Sequence, residues 1–365
     1  MRMRSLLLFW TITLFCVSGV PIRAEQTMAP PVATFSIVAF DPAMQEWGVA
    51  VQSRFLAVGS VVPFAKADVG AIASQAWGHT GYGREGLALL EMGVSAPDVI
   101  TVLTGKDEQR GYRQVGIVDH RGRAAAFTGE KCNPWAGHVI GDGYCVQGNI
   151  LTGESVVTAM AQAFASSVGT LGQRLLTALA AGQTAGGDSR GKQSAALLVT
   201  REAAGYSGFD DRFIDLRVDD HPDPIAELSR LYQLHEKTFQ ASGYITSAVK
   251  LLERGEQGRA NLCFDHAIKL ADKYPNEALL LNGLAWELAT HDLRLEDALR
   301  LAKAAVKLEP TDANVWDTLG EAHSRLGQYA EAAAAEQQAV DLAPDSSDFT
   351  ERRDKWAAAA GTGQQ

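Results

Sequence analysis

The order of apolar and polar positions divides the chain into zones. An α/β zone extends from Thr34 to about residue 235, and an alanine- and leucine-rich helical zone from about residue 242 to 360. In the first zone, Thr34–Phe40 and Trp47–Arg54 are predicted strands joined by a turn at Asp41-Pro42, because proline already has the φ that a second turn position needs. Gly48-Val-Ala-Val51 is a continuous apolar run, which is typical of a strand covered on both faces. The pattern therefore predicts a hairpin whose second strand is buried on both faces.

Hairpins alternate with helix pairs through the rest of the α/β zone. The other predicted strands are Val69–Trp77, Arg113–Asp119, Arg123–Phe127, Tyr144–Gln147, Ser194–Thr200 and Phe213–Val218. The predicted helices are Arg84–Met92, Pro97–Leu103, Glu154–Ser166, Leu171–Ala181 and one that begins at Pro224 with Asp223 as its cap. This order favours an α+β domain with two antiparallel sheets and helices on the outside. A doubly wound dinucleotide-binding fold fits worse, since no G-x-G-x-x-G follows the first strand.

A period of 34 residues connects small residues and prolines of the helical zone. The pairs are Ala298 and Ala332, Ala305 and Ala339, and Pro310 and Pro344. With Trp316-x-x-Leu319-Gly320, this pattern closely resembles the tetratricopeptide repeat, and a weaker unit spans Tyr244–Pro275. We predict an all-α domain of three repeats over residues 242–345, followed by a capping helix over 346–360. The alternative is a generic helical bundle.

Residues 1–24 have the pattern of a secretory signal peptide. Arg2 and Arg4 form the basic end, Leu6–Val20 is apolar, and Pro21–Ala24 offers a cleavage site. A membrane anchor is the alternative, but the apolar run is shorter than the roughly 20 residues that span a bilayer. We therefore expect export to a bacterial periplasm or the medium, without membrane attachment after cleavage. Residues 25–33 form a spacer before a folded domain over 34–237.

Charge and cysteine content narrow the classes of partner and cofactor. The net charge of -10 argues against a nucleic-acid or anionic-membrane partner, since both usually require a basic patch. The acidic residues between 210 and 220 match no metal-binding spacing, so we expect neither a metal nor a cofactor. Cys132 and Cys145 either pair in an oxidising compartment or remain buried thiols.

A series of stretches carries a family resemblance. They are Thr34–Ala39, Trp47–Gly59, Val69–Ala76, Arg113–Asp119, Phe127–Gly129, Trp135–His138, Val146–Asn149, Gly186–Ala195 and Asp215–Pro222. In order and over about two hundred residues, they resemble the family called domain of unknown function 1028, which is grouped with the N-terminal nucleophile hydrolases. The resemblance implies an αββα sandwich and attack on an amide or related acyl group. It implies no substrate, because that family has no assigned reaction.

Thr34 is the first candidate catalytic residue. A threonine freed at a mature N-terminus carries its own base, since its α-amino group has a pKa of about 7.7–8.0. Cleavage after Ala24 alone would leave residues 25–33 in front of Thr34 and block that amine. The mechanism therefore needs a second trimming or self-cleavage step. The alternative is that Thr34 only begins a strand.

Other polar residues of the same zone are weaker candidates. Ser36 lies on the same strand face as Thr34. Ser53 stands at the serine position of an Asp-Ser-Arg stretch that proteasome-like relatives have there. Asn149 is a candidate donor to the oxyanion that forms during attack. Gln stands at position 52 where those relatives have Asp, which weakens the proteasome-type interpretation. The candidate substrate-binding residues are Gln52, Arg54, Gln75, His79, Asp188 and Arg190. Each also has an ordinary structural interpretation.

Two kinds of function remain open from the sequence. One is an exported amidohydrolase whose repeats dock a protein or peptide partner, since concave repeat surfaces usually bind such partners. The other is a binding or scaffold protein that keeps the fold without the chemistry. A homodimer is a further expectation, taken from the resemblance alone.

Overall fold

The structure is a computed structural model that describes residues 34–362. The predicted signal peptide and spacer lie outside the described residues. The strands are β1 Thr34–Asp41, β2 Glu46–Ser53, β3 Pro63–Lys66, β4 Gly70–Ala76, β5 Arg113–Asp119, β6 Ala124–Thr128, β7 Gly137–Gly141, β8 Tyr144–Asn149, β9 Ser194–Thr200 and β10 Arg212–Val218. They form a six-stranded antiparallel sheet in the order β10-β9-β2-β1-β8-β7 and a four-stranded one in the order β3-β4-β5-β6. β1 therefore lies near the middle of the larger sheet.

Helices cover the outer face of each sheet. They are α1 Thr80–Glu91, α2 Ala96–Gly105, α3 Ser155–Ser166, α4 Leu171–Thr184 and α5 Pro224–Thr238. Leu90 of α1 and Leu103 of α2 share a core with Ile117 of the four-stranded sheet. Met160 of α3 and Leu175 of α4 share a core with the six-stranded sheet. The layers run helix, sheet, sheet, helix, which confirms the αββα sandwich.

The side chains of β1 point alternately into two different cores. Val38 belongs to the core between the sheets, whereas Phe35 and Ile37 belong to the core beneath α3 and α4. Because side chains alternate along a strand, Thr34 and Ser36 share the face of Val38. The start of this central strand therefore delivers two hydroxyls to the space between the sheets.

Paired helices make up the rest of the described chain. They are α6 Gln240–Glu253 with α7 Gln257–Lys273, α8 Ala278–Thr290 with α9 Leu295–Leu308, α10 Ala313–Arg325 with α11 Tyr329–Leu342, and finally α12 Ser347–Thr362. Ala298, Ala305, Ala332 and Ala339, the small residues of the 34-residue period, are completely buried. A Cβ on Gly320 of α10 would lie 2.7 Å from the ring of Trp356, so glycine there lets α12 pack against the last repeat. The helices that follow α5 are therefore three pairs and a final helix, α12.

A charged cluster joins the sandwich to the first repeat. The Arg201 guanidinium, at the end of β9, donates to Glu46 Oε1 at 3.3 Å, to Ser247 Oγ of α6 at 2.9 Å and to Cys263 Sγ of α7 at 2.7 Å. Arg201 and Glu46 are both almost completely buried. The hydrophobic core beneath the larger sheet also continues through Tyr244 into the repeats. The two domains therefore share one interior.

The structure differs from the sequence predictions at a few places. Neither β3 nor β7 is predicted, and both are short strands at sheet edges, where the apolar alternation is weak. Asp223 precedes α5, but its side chain makes no capping bond and instead accepts from Lys192 Nζ at 3.1 Å. Cys132 and Cys145 are free thiols, so the disulfide alternative is wrong.

Candidate active site

Thr34 begins the central strand and lies between two polar neighbours. It pairs with Ser53 of β2 on one side and with Asn149 of β8 on the other, and directly opposed residues point to the same face. All three are completely buried. The Thr34 hydroxyl has no hydrogen-bond partner among residues 34–362. A buried hydroxyl without a partner is unfavourable unless something else bonds to it, and a catalytic role is one explanation for such a group.

Ser36 lies two residues further along β1 on the same face, and its hydroxyl forms hydrogen bonds on both sides. Its Oγ donates to Gln75 Oε1 of β4 at 2.7 Å and accepts from Gln147 Nε2 of β8 at 2.6 Å. Its hydroxyl proton and at least one lone pair are therefore in use. Ser36 links the two sheets and positions the glutamines around Thr34, which suits a supporting residue better than a second nucleophile.

Gln114 of β5 is the centre of the network. Its Oε1 accepts from Gln75 Nε2 at 2.8 Å and from Asn149 Nδ2 at 2.9 Å. Its Nε2 donates to the carbonyl of Gly148 at 2.8 Å and to Thr128 Oγ1 at 2.9 Å. The Asn149 amide uses one N–H on Gln114, and its Oδ1 has no partner among the described residues. Asn149 thus keeps a second N–H for a ligand.

The network contains no charged side chain in the described part of the chain. His138 of β7 lies at its margin, with Nδ1 2.9 Å from Thr128 Oγ1, and burial lowers the pKa of this imidazole. Cys145 is buried on the same sheet face, and burial raises the pKa of its thiol to about 12. Neither group hydrogen-bonds to the Thr34 hydroxyl in the described chain, and the Cys145 thiol stays protonated near neutral pH. No described carboxylate or lysine hydrogen-bonds to Thr34, Ser36 or the glutamines.

The glycine-rich loop at residues 186–193 packs beside the start of β1. Asp188, 3% exposed, accepts from the backbone N–H of Arg54 at 3.1 Å and forms an ion pair with Arg190 Nη2 at 2.8 Å. Arg54 Nη1 donates to the carbonyl of Lys192 at 3.0 Å, and Asp188 also bridges to Leu151 after β8. The predicted residues Arg54, Asp188 and Arg190 therefore come together. Asp188 holds the loop against the two strands that flank Thr34.

Gln52 and His79 lie apart from this group. Gln52 pairs with Phe35, so it points to the opposite face of the sheet, towards α3 and α4. His79 precedes α1 and stacks on Tyr82 with ring centroids 4.8 Å apart, and its carbonyl accepts from Ser74 Oγ. None of these contacts reaches the network. Their positions do not support the substrate-binding prediction for Gln52 and His79.

Three residues of the network are absent from the sequence-based candidates: Gln114, Gln147 and Thr128. Gln114 and Thr128 occupy inward positions of strands whose other inward residues are small or apolar, and Gln147 lies between Cys145 and Asn149 on the inward face of β8. A polar side chain at such a position is the sequence signal that could have identified these three residues. The two sheets approach each other closely here, since a Cβ on Gly116 would lie 2.1 Å from Gln147 Oε1.

Comparison with known proteins agrees with this architecture. The model of a family of unknown function, DUF1028, matches residues 34–228. The chain belongs to the DUF1028 family. A crystal structure of a DUF1028 protein from Silicibacter pomeroyi is 37% identical, covers 57% of this chain and 88% of its own, and has a TM-score of 0.53. Among proteins of curated function, none matches.

Tetratricopeptide structures are similar to the part that follows the DUF1028 domain. The first such domain of human RPAP3 is 19% identical, covers 34% of this chain and 94% of its own, with a TM-score of 0.27. The tetratricopeptide domain of Sgt2 from Aspergillus fumigatus is 16% identical, covers 35% of this chain and 83% of its own, and has a TM-score of 0.27.

Metal-ligand clusters and membrane-spanning helices are both absent from residues 34–362. No group of three or more His, Cys, Asp or Glu side chains is arranged to hold a metal ion there. Every helix in that range is too short or too polar to reach across a bilayer.

Proposed function

We propose that the chain is an exported N-terminal nucleophile amidohydrolase, active once residues 1–33 are removed and Thr34 is the first residue. The observation that supports it is the Thr34 hydroxyl, buried between Ser53 and Asn149 at the start of the central strand and without a partner in the described chain. In the unprocessed chain the Thr34 nitrogen is a peptide nitrogen and cannot act as a base. Cleavage converts it into an amine with a pKa of about 7.7–8.0.

The uncharged surroundings make that amine the base of the mechanism. It takes the proton from Oγ1 while Oγ1 attacks the carbonyl carbon of an amide. The carbon–nitrogen bond then breaks, and the departing nitrogen takes up the proton. The acyl group remains on Thr34 as an ester until water, deprotonated by the same amine, hydrolyses it and restores the hydroxyl.

Asn149 supplies the transition-state contact in this proposal. Its second Nδ2–H is free to donate to the oxygen that becomes negative during attack. Gln114 holds the Asn149 amide in place through the first N–H, and Ser36 ties the same layer together through Gln75 and Gln147. These residues position the site, whereas Thr34 and Asn149 contact the reacting atoms.

The repeats add a docking role for a protein or peptide partner. Three helix pairs present an extended surface of the kind that repeat proteins use for binding. Because the sandwich and repeats share a core, a docked partner would be held at a fixed distance from Thr34.

The test combines the mature terminus with an acyl probe. We expect intact-mass analysis of the exported protein to show a first residue of Thr34, and a β-lactone probe to acylate it. Thr34→Ala should abolish labelling, whereas Ser36→Ala should keep Thr34 as the labelled residue. A mature form that begins at Glu25, or equal labelling of the wild type and Thr34→Ala, would sink the proposal and favour the non-catalytic binding protein.

A further inference from the structure

The glycine-rich loop that precedes β9 crosses the end of β1 at Thr34. On one side it runs beside the continuation of β8, where the Ser189 N–H donates to the carbonyl of Ile150 at 2.9 Å. On the other side, the Gln193 N–H donates to the carbonyl of Ser53, the last residue of β2, at 3.0 Å. Since β1 lies between β2 and β8 in the sheet, the loop lies across the line that β1 follows.

Asp188 directs its carboxylate onto this line. The Ser53 carbonyl faces the start of β9, and successive residues of an antiparallel strand point their backbone groups to alternate sides, so the Arg54 N–H faces the line of β1. That N–H donates to Asp188 Oδ2 at 3.1 Å. Asp188 also forms an isolated bridge with Leu151, just beyond β8. The carboxylate therefore lies between the two neighbours of β1, at the end where the Thr34 nitrogen begins the strand.

The Asp188 carboxylate is fixed and completely buried. Its Oδ1 accepts from the backbone N–H of Arg190 at 2.9 Å, and the Arg190 guanidinium holds both oxygens, with Nε 3.1 Å from Oδ1 and Nη2 2.8 Å from Oδ2. The Asp188 side chain has no exposed surface, whereas the Arg190 side chain is 33% exposed. Water therefore screens the positive member of this ion pair more than the negative one. The carboxylate dominates the electrostatic potential at the end of β1.

Processing creates a positive charge at this position, and this step rests on the proposed function. The Thr34 nitrogen of the unprocessed chain is uncharged, whereas a freed amine takes up a proton. Thr34, Ser53 and Asn149 are completely buried, and burial in uncharged surroundings disfavours an ammonium group. A buried charge needs a counter-charge. Within residues 34–362, Asp188 is the carboxylate placed to provide it.

Other ionisable side chains surround the same end of the sheet. They are Arg54, Lys192, Asp220, His221 and Asp223 near the loop, with His138 and Cys145 further along the network. The two additional carboxylates are exposed and bond to Lys192 Nζ and Gln193 Nε2, so water screens their effect on a buried amine. Burial lowers the pKa of His138 and raises that of Cys145 to about 12, so neither is charged near neutral pH.

We propose that Asp188 is a positioning residue for the nucleophile of the processed protein, and that its negative charge holds the terminal ammonium group of Thr34 at the end of β1. Because the carboxylate favours the charged form, it raises the pKa of that amine above the value that burial alone would give. The amine is then a stronger base once it has lost its proton. Asp188 acts through the amine and contacts no reacting atom.

The experiment measures the pKa of the terminal amine in the full exported protein after processing. Trace acetylation with acetic anhydride across a pH series, followed by mass spectrometry of the N-terminal peptide, gives that value without any catalysis. Asp188→Asn keeps the shape of the side chain and should lower the pKa of the amine by about one. Arg190→Gln removes the compensating positive charge and should raise it.

Lys192→Gln is the matched control. It removes a positive charge from the same loop, but that charge is paired with the exposed Asp223, so the amine should keep its wild-type pKa. Labelling of the same samples with the β-lactone probe tests the proposed function separately. If Asp188→Asn is not processed, the direction of the shift in Arg190→Gln decides alone.

The inference is overturned if Asp188→Asn leaves the pKa of the amine unchanged or raises it, whatever the β-lactone labelling shows. It is also overturned if Arg190→Gln lowers that pKa, as a general loss of structure would. Opposite shifts in the two variants without β-lactone labelling would support the role of Asp188 and reject the hydrolase. A mature protein that begins at Glu25 would overturn both.

Discussion

Two buried polar regions within residues 34–362, the site around Thr34 and the joint at Arg201, differ in charge. Around Thr34 the buried groups are hydroxyls and amides, linked in one network through Gln114. At the joint, Arg201 and Glu46 are a buried ion pair. Both regions connect elements that are distant in sequence. Only the second depends on keeping opposite charges together in a low-dielectric interior.

That difference separates the tasks of the two regions. Amides and hydroxyls can be buried without a counter-charge, and they leave the environment of Thr34 unchanged across the pH range in which an α-amine titrates. A buried ion pair is costly to expose or to break, which makes it suited to fixing one domain on the other. Burial raises the pKa of Glu46 to about 7 despite the opposing effect of Arg201. The joint is therefore the more fragile of the two.

The largest expected effect comes from breaking that ion pair. Arg201→Met leaves Glu46 buried without a counter-charge and removes the bonds to Ser247 and Cys263, so we expect a loss of about 3–5 kcal/mol in the free energy of unfolding. Urea denaturation at pH 8 measures it. The double variant Arg201→Met with Glu46→Gln should recover part of the loss. A single variant within about 1 kcal/mol of the wild type would mean that the shared apolar core alone holds the joint.

The sequence predicts the architecture better than it predicts these polar contacts. The central hairpin and the repeats are recognisable because apolar runs and a 34-residue period are local patterns. The short edge strands β3 and β7 lack such a pattern and are missed. The sequence also treats the two domains as separable, because nothing near position 201 indicates that this arginine is buried against α6 and α7.

The candidate site was predictable only in part, for the same reason. Thr34 stands out by its place at the start of a strand, and Asn149 by following a strand. Gln114 and Gln147 matter because of what faces them across two sheets, and one strand's sequence holds no information about the opposite sheet. Gln52 shows the converse. Its position in a motif suggested a role in substrate binding, but the alternation of side chains along β2 points it away from the site.

A smaller effect is expected when the uncharged network is interrupted. Gln114→Leu keeps the size of the side chain but leaves Asn149 Nδ2 without its acceptor and Gln75 Nε2 with only weaker ones, at an expected cost of about 2 kcal/mol. Measured on the unprocessed chain, in which the Thr34 nitrogen is a peptide nitrogen, the loss should be equal at pH 7 and pH 9, because burial lowers the pKa of His138 beside Thr128 and keeps that imidazole neutral in this range. Gln257→Leu, at an exposed glutamine of α7, is the matched control and should stay within about 0.5 kcal/mol. A loss that varies with pH would contradict the uncharged description.

The third repeat contains a buried group of ionisable side chains whose effect on stability depends on pH. Glu336 of α11 is completely buried, and burial together with the Asp317 carboxylate raises its pKa to about 8, against the opposing effect of Arg352 on α12. Glu321 of α10 is the other acidic group that faces it. Since the folded protein binds this proton more tightly than the unfolded chain, this group favours folding most at low pH. Its contribution declines as the pH rises from the ordinary carboxyl value towards 8.

Glu336→Gln should therefore flatten this part of the stability profile. As the pH rises from 5 to 9, we expect the free energy of unfolding of the variant to increase relative to the wild type by on the order of 2 kcal/mol. The reason is that the glutamine cannot ionise beside Asp317. Chemical denaturation across that range measures the difference. Glu331→Gln, at an exposed position of the same helix, should follow the wild-type profile. If both variants follow it, the proton on Glu336 does not control the stability of the last repeat, and Arg352 alone balances the two carboxylates.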